Sequence, residues 1–364
     1  MPPDVRAGAT PKERADNPVG EWNTFEVTLR GDRVSVVLNG RTVIDDTRLP
    51  GIPARGPIGL QHHGSFKDGK YNGASALMQF RNISIKELQA SPPPVVGGLD
   101  EVSPVIVPQE RIVLFNGRDL TGFYTWIGGQ GCDDPDSVFT VVDDVDGAPA
   151  IRASGQHNGG IVTTKRYGNY RLVAEFRRGH ATWEPRKDRA RNSGIMLHCQ
   201  GEDGSSTDDF RGPWMRSLEC QVIEGGSGDA ILVGGFQRGN PVRIVGSIKA
   251  TVTPGTRKWN PDGVLEGFGP GRHRTDWRFK DPEWKDVAGF RGREDVEKPA
   301  GEWNRIEAVC DGASFAFFVN GVKVNEGRDL PMKDGPILFQ SEGSEIFFRN
   351  IELHPLKPDT PATP

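Results

Sequence analysis

No run of about 18 apolar residues occurs in this chain, so no membrane-spanning helix is predicted. No apolar stretch follows Met1-Pro2-Pro3-Asp4, which argues against a signal peptide at that point. Positive charge is not in excess. Lys and Arg number 45 against 49 Asp and Glu, a net charge of −4, and nucleic-acid binders are normally basic. Cysteine is scarce: Cys132, Cys199, Cys220 and Cys310 stand alone, with no Cys-x-x-Cys pair to suggest a zinc knuckle. They read as unlinked thiols, with a Cys199–Cys220 disulfide between neighbouring strands as the alternative. Helical periodicity is missing throughout.

Turn formers are abundant instead, with Gly 47 and Pro 28 among 364 residues. Eighteen Phe and eight Trp supply a core and argue against disorder. The dominant signal is period-2 alternation. Thr24–Leu29, Arg33–Leu38 and Arg41–Ile44 read as strands, the last two joined by the hairpin signal Asn39-Gly40. The same layout returns at Arg305–Cys310, Ser314–Val319 and Val322–Val324, around Asn320-Gly321. The repeat is wider than these strands. Gly20-Glu21-Trp22-Asn23 matches Gly301-Glu302-Trp303-Asn304, and Phe80-Arg81-Asn82-Ile83 matches Phe348-Arg349-Asn350-Ile351. Further strands are predicted at Val138–Val142, Ala150–Ala153, Gly160–Thr164, Tyr170–Arg177, Gly194–Cys199, Ser217–Ile223 and Ala230–Gly234. Many short strands with turns between them predict an all-β sandwich or jelly roll. Residues 110–357 read as a complete domain, and residues 1–89 as the C-terminal half of a second one. A proline-stiffened linker joins them at 90–109, and residues 358–364 form a tail. The segment Thr253–Val296, with Trp259, Trp277 and Trp284, reads as an ordered flap.

Three motifs in the complete domain carry a resemblance. They are Leu114-Phe115-Asn116-Gly117-Arg118-Asp119-Leu120-Thr121-Gly122-Phe123, then Asn192-Ser193-Gly194-Ile195, then Glu219-Cys220-Gln221-Val222-Ile223-Glu224. With the repeated motifs in order after them, the domain resembles the 3-keto-disaccharide hydrolase family. The resemblance covers Arg111–Leu356 whole, and Val19–Leu88 as the family's C-terminal half. It implies a concanavalin A-like, laminin-G-like jelly roll, a carbohydrate ligand, and a periplasmic or extracellular location. It also implies chemistry on glycosides already oxidised at the third sugar carbon. The ketone acidifies the C2 proton, a base removes it, and the enolate expels the aglycone. Such a reaction needs a base, a donor for the enolate oxygen and an acid for the leaving group. A lectin-like carbohydrate-binding module is the alternative on the same fold, and a structural sandwich a third.

The candidate residues follow. Glu219 and Gln221 are two apart on a strand and share a face, matching the family's Glu-x-Gln strand; a solvated outer face is the plainer reading. His198 is placed by alternation on the face of Met196, as a candidate base or a structural histidine. Arg191 is a candidate for holding substrate, a surface ion pair being the alternative. Trp126, Trp183 and Trp214 are candidates for stacking on sugar, or for packing. Glu224 opens a glycine-rich loop that lacks the Lys-Ser/Thr and the helix of a phosphate-binding loop. Together with Glu219 and Asp229 it suits calcium or manganese, although no cofactor is required by the pattern. Asp143–Gly147 reads as a turn rather than a calcium loop. Finally, Gln61-His62-His63-Gly64 aligns with Gln340-Ser341-Glu342-Gly343. The family often has Gln-x-His-Gly here, so the complete domain carries Glu342 where the half copy keeps His63. Gln340 is a further substrate-binding candidate. The half copy, short of a partner layer, is expected to pack on the complete domain, to pair with a second chain as a homo-oligomer, or to expose apolar surface.

Overall fold

The computed structural model describes residues 9–30, 33–49, 56, 58–60, 64–67, 70–73, 78–86 and 104–356. The chain divides into two compact units, Met1–Glu87 and Leu88–Pro364. His63, residues 358–364 and residues 90–103 of the expected linker lie outside the described residues.

The first unit holds a sheet of β1 (Phe25–Arg30), β2 (Arg33–Leu38) and β3 (Arg41–Arg48), and a hairpin of β4 (Gly64–Lys67) and β5 (Lys70–Gly73). The turn between β2 and β3 needs two left-handed residues, and Asn39 and Gly40 supply them at φ 50° and 80°. Asn39 also ties the unit together. Its Oδ1 accepts the Thr24 N–H at 2.8 Å, and its amide donates to Asn23 Oδ1 at 2.7 Å. The Arg81 guanidinium lies 3.8 Å from the centre of the Trp22 ring. The second unit repeats each contact. Asn320 Oδ1 accepts the Arg305 N–H at 2.9 Å, the Asn320 amide donates to Asn304 Oδ1 at 2.9 Å, and Arg349 stacks on Trp303 at 3.8 Å. The twice-written tetrapeptide and the Phe-Arg-Asn-Ile stretch are therefore fasteners of one sheet.

Two large antiparallel sheets build the second unit. One runs β24 (Val322–Gly327), β23 (Ser314–Val319), β22 (Trp303–Asp311), β13 (Tyr170–Thr182), β27 (Ser344–Pro355), β10 (Ala150–Ala153) and β9 (Phe139–Val142), with β7 (Ile112–Val113) also on β27. The other runs β21 (Arg274–Thr275), β16 (Ala230–Val233), β15 (Arg216–Gln221), β14 (Gly194–Gln200), β26 (Leu338–Ser341), β11 (Gly159–Thr163) and β8 (Phe123–Ile127). Small additions are β25 (Asp334–Gly335) with β12 (Arg166–Gly168) and β6 (Val105–Ile106), the hairpin β17 (Gly235–Gln237) and β18 (Asn240–Ile244), and the hairpin β19 (Ile248–Val252) and β20 (Val264–Phe268). No helix occurs among the described residues. The fold is an all-β, concanavalin A-like jelly-roll sandwich.

Alternation packs the sandwich. Phe315, Phe317 and Val319 of β23 share a core with Ile195 and Leu197 of β14 and Leu218 and Cys220 of β15. Phe339 meets Phe123 and Phe348 edge-on at 6.2 and 5.2 Å. Burying each such ring stabilises by about 1.5–3 kcal/mol. Burial differs between corresponding strands of the two units. Ile306, Ala308 and Cys310 are 1%, 2% and 0% exposed, whereas their counterparts Phe25, Val27 and Leu29 are 64%, 56% and 49% exposed. None of the four cysteines is joined in a disulfide. Cys199 and Cys220 belong to different apolar clusters on opposite faces of the sheet, which rules out the disulfide alternative.

Residues 253–296 form the β20 side of one hairpin and a strap that Trp259 and Trp277 anchor in the interior. The strap is held by charge. Arg178 faces Glu297 at 3.3 Å with both side chains almost wholly buried, and Glu297 also accepts the Ser227 and Gly225 N–H groups at 2.8 and 3.2 Å. Glu297→Gln leaves the Arg178 charge buried without its counter-ion, and is expected to cost about 3–5 kcal/mol in denaturant unfolding. A loss under about 1 kcal/mol would show that the pair does not hold the strap.

Candidate active site

The outer face of the seven-stranded sheet carries the site. Leu218 and Cys220 turn into the core, so Glu219 and Gln221 of β15 turn outward on the opposite face. Across the ladder, Met196 pairs with Glu219, and Gly194 pairs with Gln221. Gly194 is where the Asn-Ser-Gly-Ile motif acquires a physical meaning. A Cβ built there would lie 2.5 Å from Glu219 Oε1 and 2.6 Å from Gln340 Oε1. Two polar side chains thus cross the bare backbone of β14, and only glycine leaves room for them.

These groups are buried and short of partners. Glu219 is 6% exposed, and its Oε1 has no hydrogen-bond partner. Gln340 is fully buried with both Oε1 and Nε2 unpartnered, and Asn192 Oδ1 is likewise unpartnered. Folding normally satisfies such atoms, each of which otherwise costs about 1–3 kcal/mol. Of these atoms, Glu219 Oε1 and Gln340 Oε1 converge over Gly194. Glu219 also lines a cleft of ≈ 460 Å³ with Trp214, His273, Arg243 and Ser206.

Burial pushes the Glu219 carboxyl well above the usual carboxylate range. The neighbouring Glu342 charge and Asp229 push the same way, while Arg274 and Gln340 oppose them. Gln340 stands beside the carboxyl without reaching hydrogen-bond geometry. Glu342, just past the end of β26, is raised too, by burial, with Arg186, Asn192 and Arg274 opposing.

Other expected residues are placed elsewhere. His198 does not share the face of Met196. A bulge interrupts the β14–β15 register between Leu197 and Gln200, and His198 adopts φ 53° within it. The ring therefore turns away, 1% exposed, edge-on to Tyr170 at 5.5 Å, with its Nδ1 at 2.9 Å from the Met332 carbonyl. Burial lowers its pKa to about 4, so it is neutral. Arg191 and Glu224 bind each other at 2.8 Å, and Glu224 also accepts the Arg191 and Gly289 N–H groups at 2.9 Å each. Their charges are spent on joining a loop to the strap. Asp229 is enclosed by Arg274, by Lys280 at 3.4 Å and by the Trp277 N–H. Two of the three proposed calcium or manganese ligands, Glu224 and Asp229, are therefore separately neutralised by protein cations. No group of three metal-binding side chains occurs among the described residues. Trp126 donates to the Gly212 carbonyl at 2.9 Å and Trp183 to the Ser154 carbonyl at 2.9 Å. Neither ring lines the cleft; Trp214 does. Gln221 bonds its own strand end, its Oε1 accepting the Val222 N–H at 2.9 Å. Arg274 and His273 escaped sequence reasoning, because they sit in the long segment where alternation is lost.

Fold and site together define a jelly-roll sandwich with a cleft lined by Glu219, Arg243, His273 and Trp214 on the outer face of one sheet. The chain belongs to the family of the 3-keto-alpha-glucoside-1,2-lyase-like domain, whose model matches residues 4–86 and 110–354. No curated protein matches it. Among solved structures it is similar to a candidate glycosyl hydrolase from Parabacteroides distasonis ATCC 8503, at 20% identity over 68% of this chain and 94% of that one, with a TM-score of 0.38. Carbohydrate-binding module CBM66 from Bacillus subtilis matches at 10% identity over 64% and 95%, with a TM-score of 0.33. A Bacillus licheniformis beta-glucanase matches at 10% identity over 67% and 97%, with a TM-score of 0.34.

The buried carboxyls make stability pH-dependent. Both are raised on folding, so the folded state holds protons that the unfolded chain releases above about pH 4.5. Stability is therefore full in acid and is lost as pH rises through the raised values. His198 acts oppositely, losing stability as pH falls below about 6.5. Above pH 6.5 the carboxyl contribution stands alone. Unfolding of wild type between pH 6.5 and 8.5 is expected to show a decline that Glu219→Gln largely removes. Parallel pH profiles for the two proteins would contradict the raised carboxyl.

Proposed function

We propose that the domain at residues 110–357 cleaves 3-keto-glycosides by removing the proton at C2 and eliminating the aglycone from C1. The observation that carries this is the set of buried, unpartnered polar atoms of Glu219, Gln340 and Asn192, of which Glu219 lines the cleft. Membership of the 3-keto-alpha-glucoside-1,2-lyase-like family supports this choice of substrate class. A sugar bearing a ketone and several hydroxyls offers partners for just such atoms.

The roles follow from the atoms available. A carboxyl whose proton affinity is raised toward neutrality is matched to taking a carbon acid's proton. Glu219 has this property and an open oxygen, and serves as base. The enolate oxygen needs a preorganised donor in a site shielded from water. Gln340 Nε2 is a buried donor without a partner, and suits that role. Trp214 offers an aromatic face in the cleft for the sugar ring or the aglycone. His198, Arg191 and Glu224 act as scaffold. The half copy at residues 1–89 matches the stretch that follows the Glu219-Cys220-Gln221-Val222-Ile223-Glu224 motif and has no copy of that motif, so the reaction belongs to the complete copy.

Incubation with an aryl 3-keto-glucoside is expected to release the aglycone, and Glu219→Gln to slow release by about 10²–10⁴-fold. Gln340→Leu is expected to lower kcat more than it raises KM. Binding of the keto-glucoside without release by wild type would favour a carbohydrate-binding module.

A further inference from the structure

The half copy carries both neighbours of a strand that it has no copy of. In the second unit β13 lies between β22 and β27. Arg177 pairs with Trp303 on one side and Phe347 on the other, and Glu175 pairs with Arg305 and Arg349. Arg349 of β27 reaches across β13 to stack on Trp303 of β22 at 3.8 Å. Its Nε also donates to Glu175 Oε2 at 2.7 Å, and the Asn350 amide donates to the same oxygen at 3.0 Å. The match between the copies begins at Gly20 and Gly301, past β13. It holds counterparts of both flanking strands, β1 for β22 and residues 78–86 for β27, and none of β13.

The flanks keep their form without it. Arg81 lies over Trp22 at the same 3.8 Å. Asn82 keeps the left-handed backbone of Asn350, φ 54° against 51°, a conformation that few residues other than glycine adopt. Residues 78–86 thus retain the shape of an inner strand, although none of the described residues forms a ladder with them. Among the described residues β1 pairs with β2 alone, so its other edge is open. An open strand edge is a template for pairing with another chain. The side chains agree with the backbone. Phe80, Ile83 and Ile85 are 51%, 63% and 77% exposed, whereas their counterparts Phe348, Ile351 and Leu353 are fully buried. Beside Arg81 and Asn82 no carboxylate among the described residues takes the place of Glu175.

We propose that the first unit is a receptor for an extended strand of another protein, a segment with the chemistry of β13, laid between β1 and residues 78–86. Main-chain hydrogen bonds to the flanks give such a complex its affinity, and alternate side chains give it selectivity. The strand it fits has apolar residues at every second position, as Leu172, Ala174 and Phe176 are in β13, to lie between the two exposed apolar rows. On its other face it carries an acidic residue to meet Arg81 and Asn82, as Glu175 meets Arg349 and Asn350. A second copy of this chain is the poorer occupant. Its own β13 is held between β22 and β27 and is buried at Leu172, Ala174 and Phe176, so donating it would open the complete domain. The proposal stands apart from the reaction assigned to the complete copy.

The probe is a synthetic peptide with the sequence of residues 170–182, added to the full chain and followed by calorimetry and hydrogen exchange. One-to-one binding is expected, with exchange slowed about tenfold or more at Phe25–Arg30 and at residues 78–86, and unchanged in the strands of the complete domain. A peptide carrying Ala174→Pro loses a ladder donor and is expected not to bind. Glu175→Lys in the peptide is expected to weaken binding about tenfold, as is Arg81→Glu in the chain, and the two changes together are expected to restore it. No binding with the peptide in large excess would overturn the proposal. So would binding that leaves exchange in β1 unchanged, or that tolerates Ala174→Pro. Sedimentation of the chain alone tests the other occupant. A dimer that Val27→Lys converts to a monomer would mean that a second copy covers this face, and would also overturn the proposal.

Discussion

A carboxyl taken out of water without a cation of its own is the constraint on which this domain turns. Glu219 is buried on the outer face of a sheet, with an unpartnered oxygen and two glutamine amides nearby. Such an arrangement opposes folding, since charge and polar groups lose water and receive nothing equivalent. It persists because the surroundings over-determine it. The sandwich core fixes β14, β15 and β26, and the glycine at 194 lets the side chains of the outer two cross the middle one. The strap beyond β20 encloses the other charges, pairing Glu297 with Arg178, Glu224 with Arg191, and Asp229 with Arg274. Glu297, Glu224 and Asp229 each have a cation of their own, whereas Glu219, facing the cleft, has no ion-pair partner among the described residues.

The repeat separates scaffold from site. The contacts that recur in both units, Asn to Asn and Arg on Trp, belong to the β1–β3 sheet and to its counterpart β22–β24. None of them reaches Glu219. In the second unit, the inner face of the seven-stranded sheet packs over Ile306, Ala308 and Cys310, and its far side carries the polar cluster. One layer thus supplies stability on its inner face and chemistry on its outer face.

Much of this was legible from residue order. Alternation gave the strands, Asn-Gly gave the turns, and Glu-x-Gln pointed at the outer face of β15. The misplacement of His198 has a definite cause. Period-2 reasoning assumes an unbroken strand, and a bulge with one left-handed residue reverses the face without altering composition. Glu224 looked like a ligand because its counter-ion and its N–H donors come from Arg191 and from Gly289, 65 residues later in the chain. Arg274 and His273 lie in the strap, where neither period nor motif speaks, whereas Glu342 was marked by the alignment of the two copies. Their relevance comes from proximity in the fold.

The central claim is that the bond at C1 breaks because the proton at C2 is taken. The most direct measurement uses an aryl 3-keto-glucoside deuterated at C2, followed by aglycone release and by mass analysis of the sugar product. The account predicts slower release from the deuterated substrate, and loss of the C2 deuterium to solvent in the product. Release at an unchanged rate with the deuterium kept would mean direct displacement at C1, and would contradict it.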